Sequence, residues 1–211
     1  MKIGVLGTGL VGTTLGTKLV EMGHQVKMGS RSTTNEKAAA WVQSVGGGAT
    51  HGDFADAASF GELIFNCTSG SASLLALTMA KRENLSGKIL VDVANPLDFS
   101  HGMPPSLTVC NTDSLAEQIQ RAFPEARVVK TLNTMNCAVM VNPHLVPGAH
   151  NVFLSGNDAA AKREVAALLN ESFGWSTSDI IDLGDITTAR GVEMLLPFWV
   201  GMMGKLQRPT F

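Results

Sequence analysis

Apolar residues fall into short runs separated by stretches with helical spacing. Residues 2–6 form an apolar run ending in glycine, residues 10–22 carry apolar side chains at 11, 15, 19 and 22, and residues 26–28 follow Gly23. This pattern predicts strand, helix and strand within about thirty residues. Apolar runs of strand length recur at 63–67, 89–93, 127–132, 152–155 and 180–183, with helical periodicity between them. Short buried strands alternating with helices predict an α/β fold, a Rossmann-type, mostly parallel sheet with helices on both faces. Two helices carry start signals: Ser114 with Glu117 as a capping box, and Asp158 before an Ala-rich run that ends at Gly174. Their inward stripes are Leu115, Ile119, Phe123 and Val165, Leu168, Leu169. Residues 187–206 form a last helical segment, too apolar to stand in water alone, that Pro197 should kink or divide. The division expected is a main domain over 1–184 and a short C-terminal helical cap over 185–211, packed on the sheet or on a second subunit. Within the cap, Arg190 and Glu193 stand three apart and are expected to pair on the helix surface.

Composition narrows the function. Of 211 residues 45% are hydrophobic and 16% charged, enough for one substantial core. The 16 basic and 18 acidic residues give a net charge of -2 without a run of either sign. That excludes a nucleic-acid groove and an anionic membrane surface as partners, and leaves a small molecule. The apolar opening is rich in glycine and lacks a signal-peptide cleavage pattern, and no run reaches spanning length, so a cytoplasmic protein without a membrane partner is expected. Cys67, Cys110 and Cys137 are odd in number and far apart, with no paired spacing, which predicts free thiols, a reducing compartment and no metal site.

The sharpest motif is Gly7-x-Gly9-x-x-Gly12, placed where the first strand ends and the first helix begins. In that context Gly7 permits the tight turn, Gly9 admits a pyrophosphate to the backbone, and Gly12 lets the helix pack close, with its N-terminus against the phosphates. Thr8, Leu10 and Val11 complete this turn, and Gly16 extends the close approach. A dinucleotide with a free ribose 2′-hydroxyl calls for an acid at the end of the second strand. Here stands Gly29-Ser30-Arg31-Ser32. Glycine leaves space, the Ser30 hydroxyl can donate, and the Arg31 guanidinium pairs with a doubly charged phosphate, so the cofactor predicted is NADP(H). Thr8, Thr33 and Lys37 are further donors.

In an open α/β sheet the ligand lies beyond the carboxyl ends of the strands. The segments there are polar: Thr68-Ser69-Gly70, Asn95-Pro96-Leu97 and Asn133-Thr134-Met135-Asn136. Thr68, Ser69, Asn95, Pro96 and Asn133 are therefore candidates for the cofactor, and Asn95, Asn133 and Thr134 for the lining where the chemistry occurs. No proton relay stands out, the chain has no Tyr, and the histidines, His101 included, read as loop or surface residues. Hydride transfer between two rings needs orientation and a dry cavity more than a general acid.

The motifs GTGLVG, MGSR, VDVANPL, KTLNTMN, FLSGND and LGDITTARGVEMLLPFW, in this order, resemble those of the NADPH:coenzyme F420 oxidoreductase family over nearly the whole chain. A similar module forms the cytosolic domain of the six-transmembrane ferric reductases. The resemblance implies hydride transfer between NADP(H) and a planar electron acceptor, coenzyme F420 or a flavin, as second ligand. It places the 2′-phosphate contacts on Thr8, Ser30 and Arg31, with a third cationic contact on Lys37. A homodimer is the assembly expected. Two alternatives stay open: an imine or carbonyl reductase with its own organic substrate, and a non-catalytic NADPH sensor.

Overall fold

The apolar runs become strands because the middle of the sheet is buried on both sides, and alternate residues feed two separate cores. In the computed structural model, which describes residues 1–208, the elements run β1 (Lys2–Leu6), α1 (Leu10–Glu21), β2 (Gln25–Ser30), α2 (Glu36–Val45), β3 (Ala49–Asp53), α3 (Phe54–Phe60), β4 (Leu63–Asn66), α4 (Gly70–Ala80), α5 (Arg82–Leu85) and β5 (Ile89–Asp92). They continue with a hairpin of β6 (Leu97–Asp98) and β7 (Ser106–Leu107), then α6 (Leu115–Ala122), β8 (Arg127–Lys130), α7 (Cys137–Val141), β9 (Val152–Leu154), α8 (Ala159–Phe173), β10 (Ile180–Asp182) and α9 (Ala189–Leu206). Ile3, Val5, Met28, Phe65, Val91 and Val129 face one core with Leu15, Leu19, Val165 and Leu169. Leu6, Ile64, Leu90 and Val128 face the other with Leu77, Leu115, Ile119 and Phe123. This is the period-two alternation of strands packed between two helix layers.

Six strands form one parallel sheet in the order β3-β2-β1-β4-β5-β8. The order reverses between β1 and β4, and there the loops that leave the two strands diverge to opposite faces and open a crevice.

The fold departs from the sequence reading at β3, at β9 and β10, and at α9. β3 was not expected, because its sequence ATHGD carries no apolar alternation; as an edge strand it pairs only with β2. The runs at 152 and 180 do become strands, but β9 and β10 form their own two-stranded parallel sheet, joined to β8 by one antiparallel bridge from Ser155 to Lys130. Helix α9 is neither divided nor ended by Pro197 and runs through it for 18 residues. Of the region expected as a cap, residues 209–211 lie outside the described residues. Among the described residues no helix is long and apolar enough to cross a membrane.

Helix starts follow the sequence signals with one change. Asp158 caps α8 by accepting from Ala160 N (2.8 Å) and Ala161 N (2.9 Å), and Gly174, with φ 83°, ends it. Hydrogen bonds from Arg127 and from these backbone amides hold the Asp158 carboxyl at about 2, below the usual carboxylate range. At α6, Ser114 Oγ accepts from Glu117 N at 3.1 Å, as a capping box requires. The Glu117 carboxylate does not return to the Ser114 backbone; it accepts from the Ser114 hydroxyl (2.8 Å) and from Arg190 Nε (2.9 Å). This corrects the expected Arg190–Glu193 pair. Helical twist turns Glu193 into the interior, where it is 1% exposed, while Arg190 stays near the surface and reaches across to α6.

Candidate functional site

The crevice between β1 and β4 is built around three glycines, and at two of them the backbone leaves no room for a side chain. Gly7 has φ 120°, and a Cβ there would stand 2.6 Å from the Cys67 carbonyl oxygen. A Cβ on Gly12 would stand 2.1 Å from the Gly7 carbonyl oxygen, so α1 rests directly on its own entry turn. Gly9 differs: a Cβ there would meet nothing within 4 Å, because its backbone faces the open crevice. That open cradle is the space the fingerprint reserves for a pyrophosphate.

Two helices begin at this crevice, α1 after Gly9 and α4 after Ser69, and neither has a side-chain cap or an acid in its first turn. By contrast α2, α3, α6 and α8 are capped by Asn35, Asp53, Ser114 and Asp158. The first-turn N–H groups of α1 and α4 are thus left for an anion, and both helix dipoles favour one.

The crevice has two chambers of about 410 Å³ each, which share Cys67, Thr68 and Ser69 as their dividing wall. The first holds Gly7, Thr8, Gly9 and Arg31, closed by Phe54 and Met79. The second holds Val11, Asn95, Leu97, Phe99 and Thr108. Arg31 is exposed and, among the described residues, in no ion pair. The acid nearest in register, Asp53 opposite Ser30, is consumed by its own helix cap on Asp56 N at 2.8 Å. A guanidinium with no carboxylate beside it, in a chamber that opens on two free helix starts, is chemically suited to a phosphate.

Several sequence candidates serve the site differently from their expected roles. Gly29 leaves no space for a ligand: a Cβ there would stand 2.8 Å from Ala57 Cβ of α3, so the glycine is needed for helix–sheet packing. Gly16 meets Trp41 of α2 first, at 3.0 Å, and Met28 of β2 at 3.5 Å. The Ser30 hydroxyl is spent locally, donating to Ser32 O (2.6 Å) and accepting from Ser32 N (3.2 Å), which shapes the loop that carries Arg31. Lys37 lines a groove of about 690 Å³ between α1 and α2, with Thr13, Lys18 and Trp41, and neither of the two chambers. Leu10 is exposed at the start of α1, while Pro96 is buried behind Asn95.

Asn95 and Asn133 come together. Asn95 Nδ2 donates to Asn133 O (3.0 Å), and Asn133 Nδ2 donates to Asn95 Oδ1 (2.9 Å) and to Val192 O of α9 (3.1 Å). Asn95 lines the second chamber; Asn133, 2% exposed, stands behind it, and Thr134 lines neither chamber.

The second chamber contains two titratable side chains, and neither is poised near neutrality. Burial, reinforced by the nearby Asp92 charge, pushes the Cys67 thiol well above the ordinary range. Hydrogen bonds from Ser100 hold Asp98 below its ordinary value. Neither suits a general acid or base at pH 7.

Behind the chamber lies a buried ion cluster that the sequence reading missed. Lys130 Nζ donates to Asp92 Oδ2 (2.8 Å), to Glu193 Oε1 (2.9 Å) and to the Ala94 carbonyl, with all three side chains at most 1% exposed. Burial alone would lower the Lys130 pKa, but the two carboxylates outweigh it and hold the ammonium above its ordinary value. The sequence did carry a signal: Asp92, Lys130 and Glu193 are single charges in the otherwise apolar runs ILVDV, VVKTL and VEMLL. A charge in a buried run must find partners.

Residues 2–96 match the family model described as NADP oxidoreductase, coenzyme F420-dependent. A crystal structure of a candidate F420-dependent NADP reductase from Arthrobacter sp. FB24 superposes with a TM-score of 0.93 at 55% identity, over 100% of this chain and 97% of that one. Metalloreductase STEAP3 of Rattus norvegicus is 31% identical over 205 residues, 94% of this chain but 38% of its own length. The chain thus spans little more than a third of the metalloreductases it matches. A reductive aminase from Aspergillus terreus, solved with NADPH and ethyl levulinate, shares the fold, with a TM-score of 0.66 at 18% identity, over 98% of this chain and 62% of that one.

Proposed function

The chain belongs to the coenzyme F420-dependent NADP oxidoreductase family, and from that premise we propose that it transfers a hydride between NADP(H) and a planar acceptor, coenzyme F420 or a flavin. The observation that carries this reading is the pair of joined chambers: one ends in Arg31, in no ion pair among the described residues, and two uncapped helix starts; the other sets Val11, Leu97 and Phe99 among hydroxyls and an amide, with no acid or base poised near neutrality.

In this reading the backbone from Gly7 to Gly12 and the start of α4 at Ser69 and Gly70 hold the pyrophosphate. Arg31, with Thr8, takes the 2′-phosphate; Ser30 only shapes its loop, and Lys37 is not part of the site. Thr68 and Asn95 orient the nicotinamide end in the second chamber. Asn133 holds Asn95. When bound, NADP(H) supplies or takes up the hydride at its nicotinamide ring. The chain's part is to set a second ring beside that one, between Leu97, Phe99 and the wall at Val11, and to exclude water. A carbonyl or imine substrate would need a proton donor as well, and the chamber's lining offers none near pH 7. The reading includes a cytoplasmic setting, the C-terminal segment as a cap, and a homodimer formed through the outward face of α9, where Met194, Leu195 and Phe198 are exposed.

Two measurements test it. NADPH should bind at least about tenfold more tightly than NADH, and Arg31→Ala should remove most of that difference, since one charge-assisted bidentate contact is worth about 1.5–3 kcal/mol. Equal dissociation constants for the two cofactors in the wild-type chain would sink the assignment of Arg31. Under anaerobic conditions NADPH absorbance should fall when F420, FMN or FAD is supplied. Turnover confined to an imine or carbonyl compound, or tight binding with no turnover on any acceptor, would replace hydride transfer between rings with the reductase or the sensor reading.

A further inference from the structure

Continuous buried polar contacts lead from the cofactor crevice to the C-terminal helix. Thr68 Oγ1, in the wall between the chambers, donates to Asn66 Oδ1 at 2.7 Å. Asn66 Nδ2 donates to Asp92 Oδ1 at 2.8 Å, and Asp92 Oδ2 accepts from Lys130 at 2.8 Å. Lys130 passes to Glu193 of α9, whose carboxylate accepts from Leu115 N (2.8 Å) and Ala116 N (3.1 Å) at the start of α6. The cluster therefore joins the carboxyl ends of β4, β5 and β8 to two helices.

Its branches end on the lining of the second chamber. Ala94 is held from both sides: its N–H donates to Asp92 Oδ1 (3.3 Å), and its carbonyl accepts from Lys130. Asn95, the next residue, is tied through Asn133 to Val192, which adjoins Glu193 on α9. Between Lys130 and Asn133 the backbone passes through Leu132, a buried non-glycine residue at φ 61°. Backbone in that region costs about 1–3 kcal/mol and persists only where its surroundings over-determine it. All three protons of the Lys130 ammonium are committed, so it has none to give to a reaction. Stability does not account for the cluster either, because a well-packed apolar substitute for a buried ion group is often as stable or more so. What an apolar plug could not do is fix Thr68, Ala94 and Asn95 in register with α9.

We propose that Lys130 and Glu193 are positioning residues, which hold the Thr68 and Ala94–Asn95 walls of the second chamber in the geometry that receives the nicotinamide end of the cofactor. The inference rests on the cofactor placement proposed above. It makes the C-terminal helix part of the binding site without any contact to the ligand.

The test compares NADPH with 2′,5′-ADP, which carries the 2′-phosphate but no nicotinamide. Glu193→Gln should weaken NADPH by at least about fivefold, the lower end of measured site-to-site couplings, and leave 2′,5′-ADP within about twofold. Lys130→Met, where it folds, should show the same split more strongly. If Glu193→Gln does not give a cooperative unfolding transition, Glu193→Asp, which keeps the charge but shortens the reach, supplies the same comparison. Equal losses for both ligands, or none for either, would overturn the inference and leave the cofactor reading intact. A wild-type chain that binds neither nucleotide would overturn the cofactor reading, and the inference with it.

Discussion

Lys130→Met should be among the most destabilising single substitutions in the sheet, by about 3–5 kcal/mol, the usual result of stripping one partner from a buried ion group. Methionine fills a similar volume, so packing is nearly conserved and the loss is electrostatic. It leaves the Asp92 and Glu193 carboxylates buried together with no counter-charge, where Lys130 now bonds both. For a chain of this size that corresponds to a fall in thermal midpoint of about 6–20 °C. Glu193→Gln should cost less, because it leaves Lys130 and Asp92 matched in charge and its amide oxygen can still accept at the start of α6. The ordering also has a pH signature. The Lys130 pKa is held above its ordinary value of 10.5, so the stability it contributes is complete below that pH and disappears as pH rises through the raised folded value. The gap between wild type and Lys130→Met should therefore narrow above about pH 10, as Lys130 loses its proton. Urea unfolding of both variants across that range measures it. A larger loss in Glu193→Gln than in Lys130→Met would show that helix capping, not charge balance, is what the cluster supplies.

The same cluster shows where sequence reading stops. Elements set by local periodicity were legible: β1 falls where its apolar run predicts, and α8 runs from Asp158 to Gly174 as its signals require. β3 was not, because an edge strand buries little and ATHGD offers no apolar face to read. At the candidate site, the glycine turn was legible as a turn because it lies within one strand–helix unit, and Arg31 as an exposed cation just beyond the strand beside it. The partners of Lys130 lie 38 residues away in β5 and, at Glu193, 63 residues away in α9. Each looks in sequence like an isolated charge, and spacing cannot say which charges will meet. Glycines fail in a related way. Gly16 and Gly29 announce a close approach, but only the fold shows that Trp41 and Ala57 are what approaches.

The glycines assigned to the pyrophosphate turn make the second large prediction, because their surroundings in the structure differ. In Gly12→Ala the new methyl would stand 2.1 Å from the Gly7 carbonyl oxygen, a backbone atom with no rotamer to escape by. Helix α1 and the turn must move apart, which costs stability and turns the first N–H groups of α1 away from the phosphates. Each charge-assisted hydrogen bond lost there is worth about 1.5–3 kcal/mol, so losing one or two weakens NADPH by about a hundredfold or more. In Gly9→Ala the methyl meets nothing in the protein, so the thermal midpoint should hardly change. It projects instead into the space assigned to the pyrophosphate, and NADPH affinity should fall about as far as in Gly12→Ala. Gly191→Ala, in α9 with nothing within 4 Å of the new methyl, serves as the control: it should bind as wild type and gain about 0.5–1 kcal/mol from the better helix former. Fluorescence titration with NADPH beside thermal unfolding separates the three. A Gly9→Ala variant that folds and binds like wild type would mean that the pyrophosphate lies elsewhere, and the open cradle over α1 would then need another occupant.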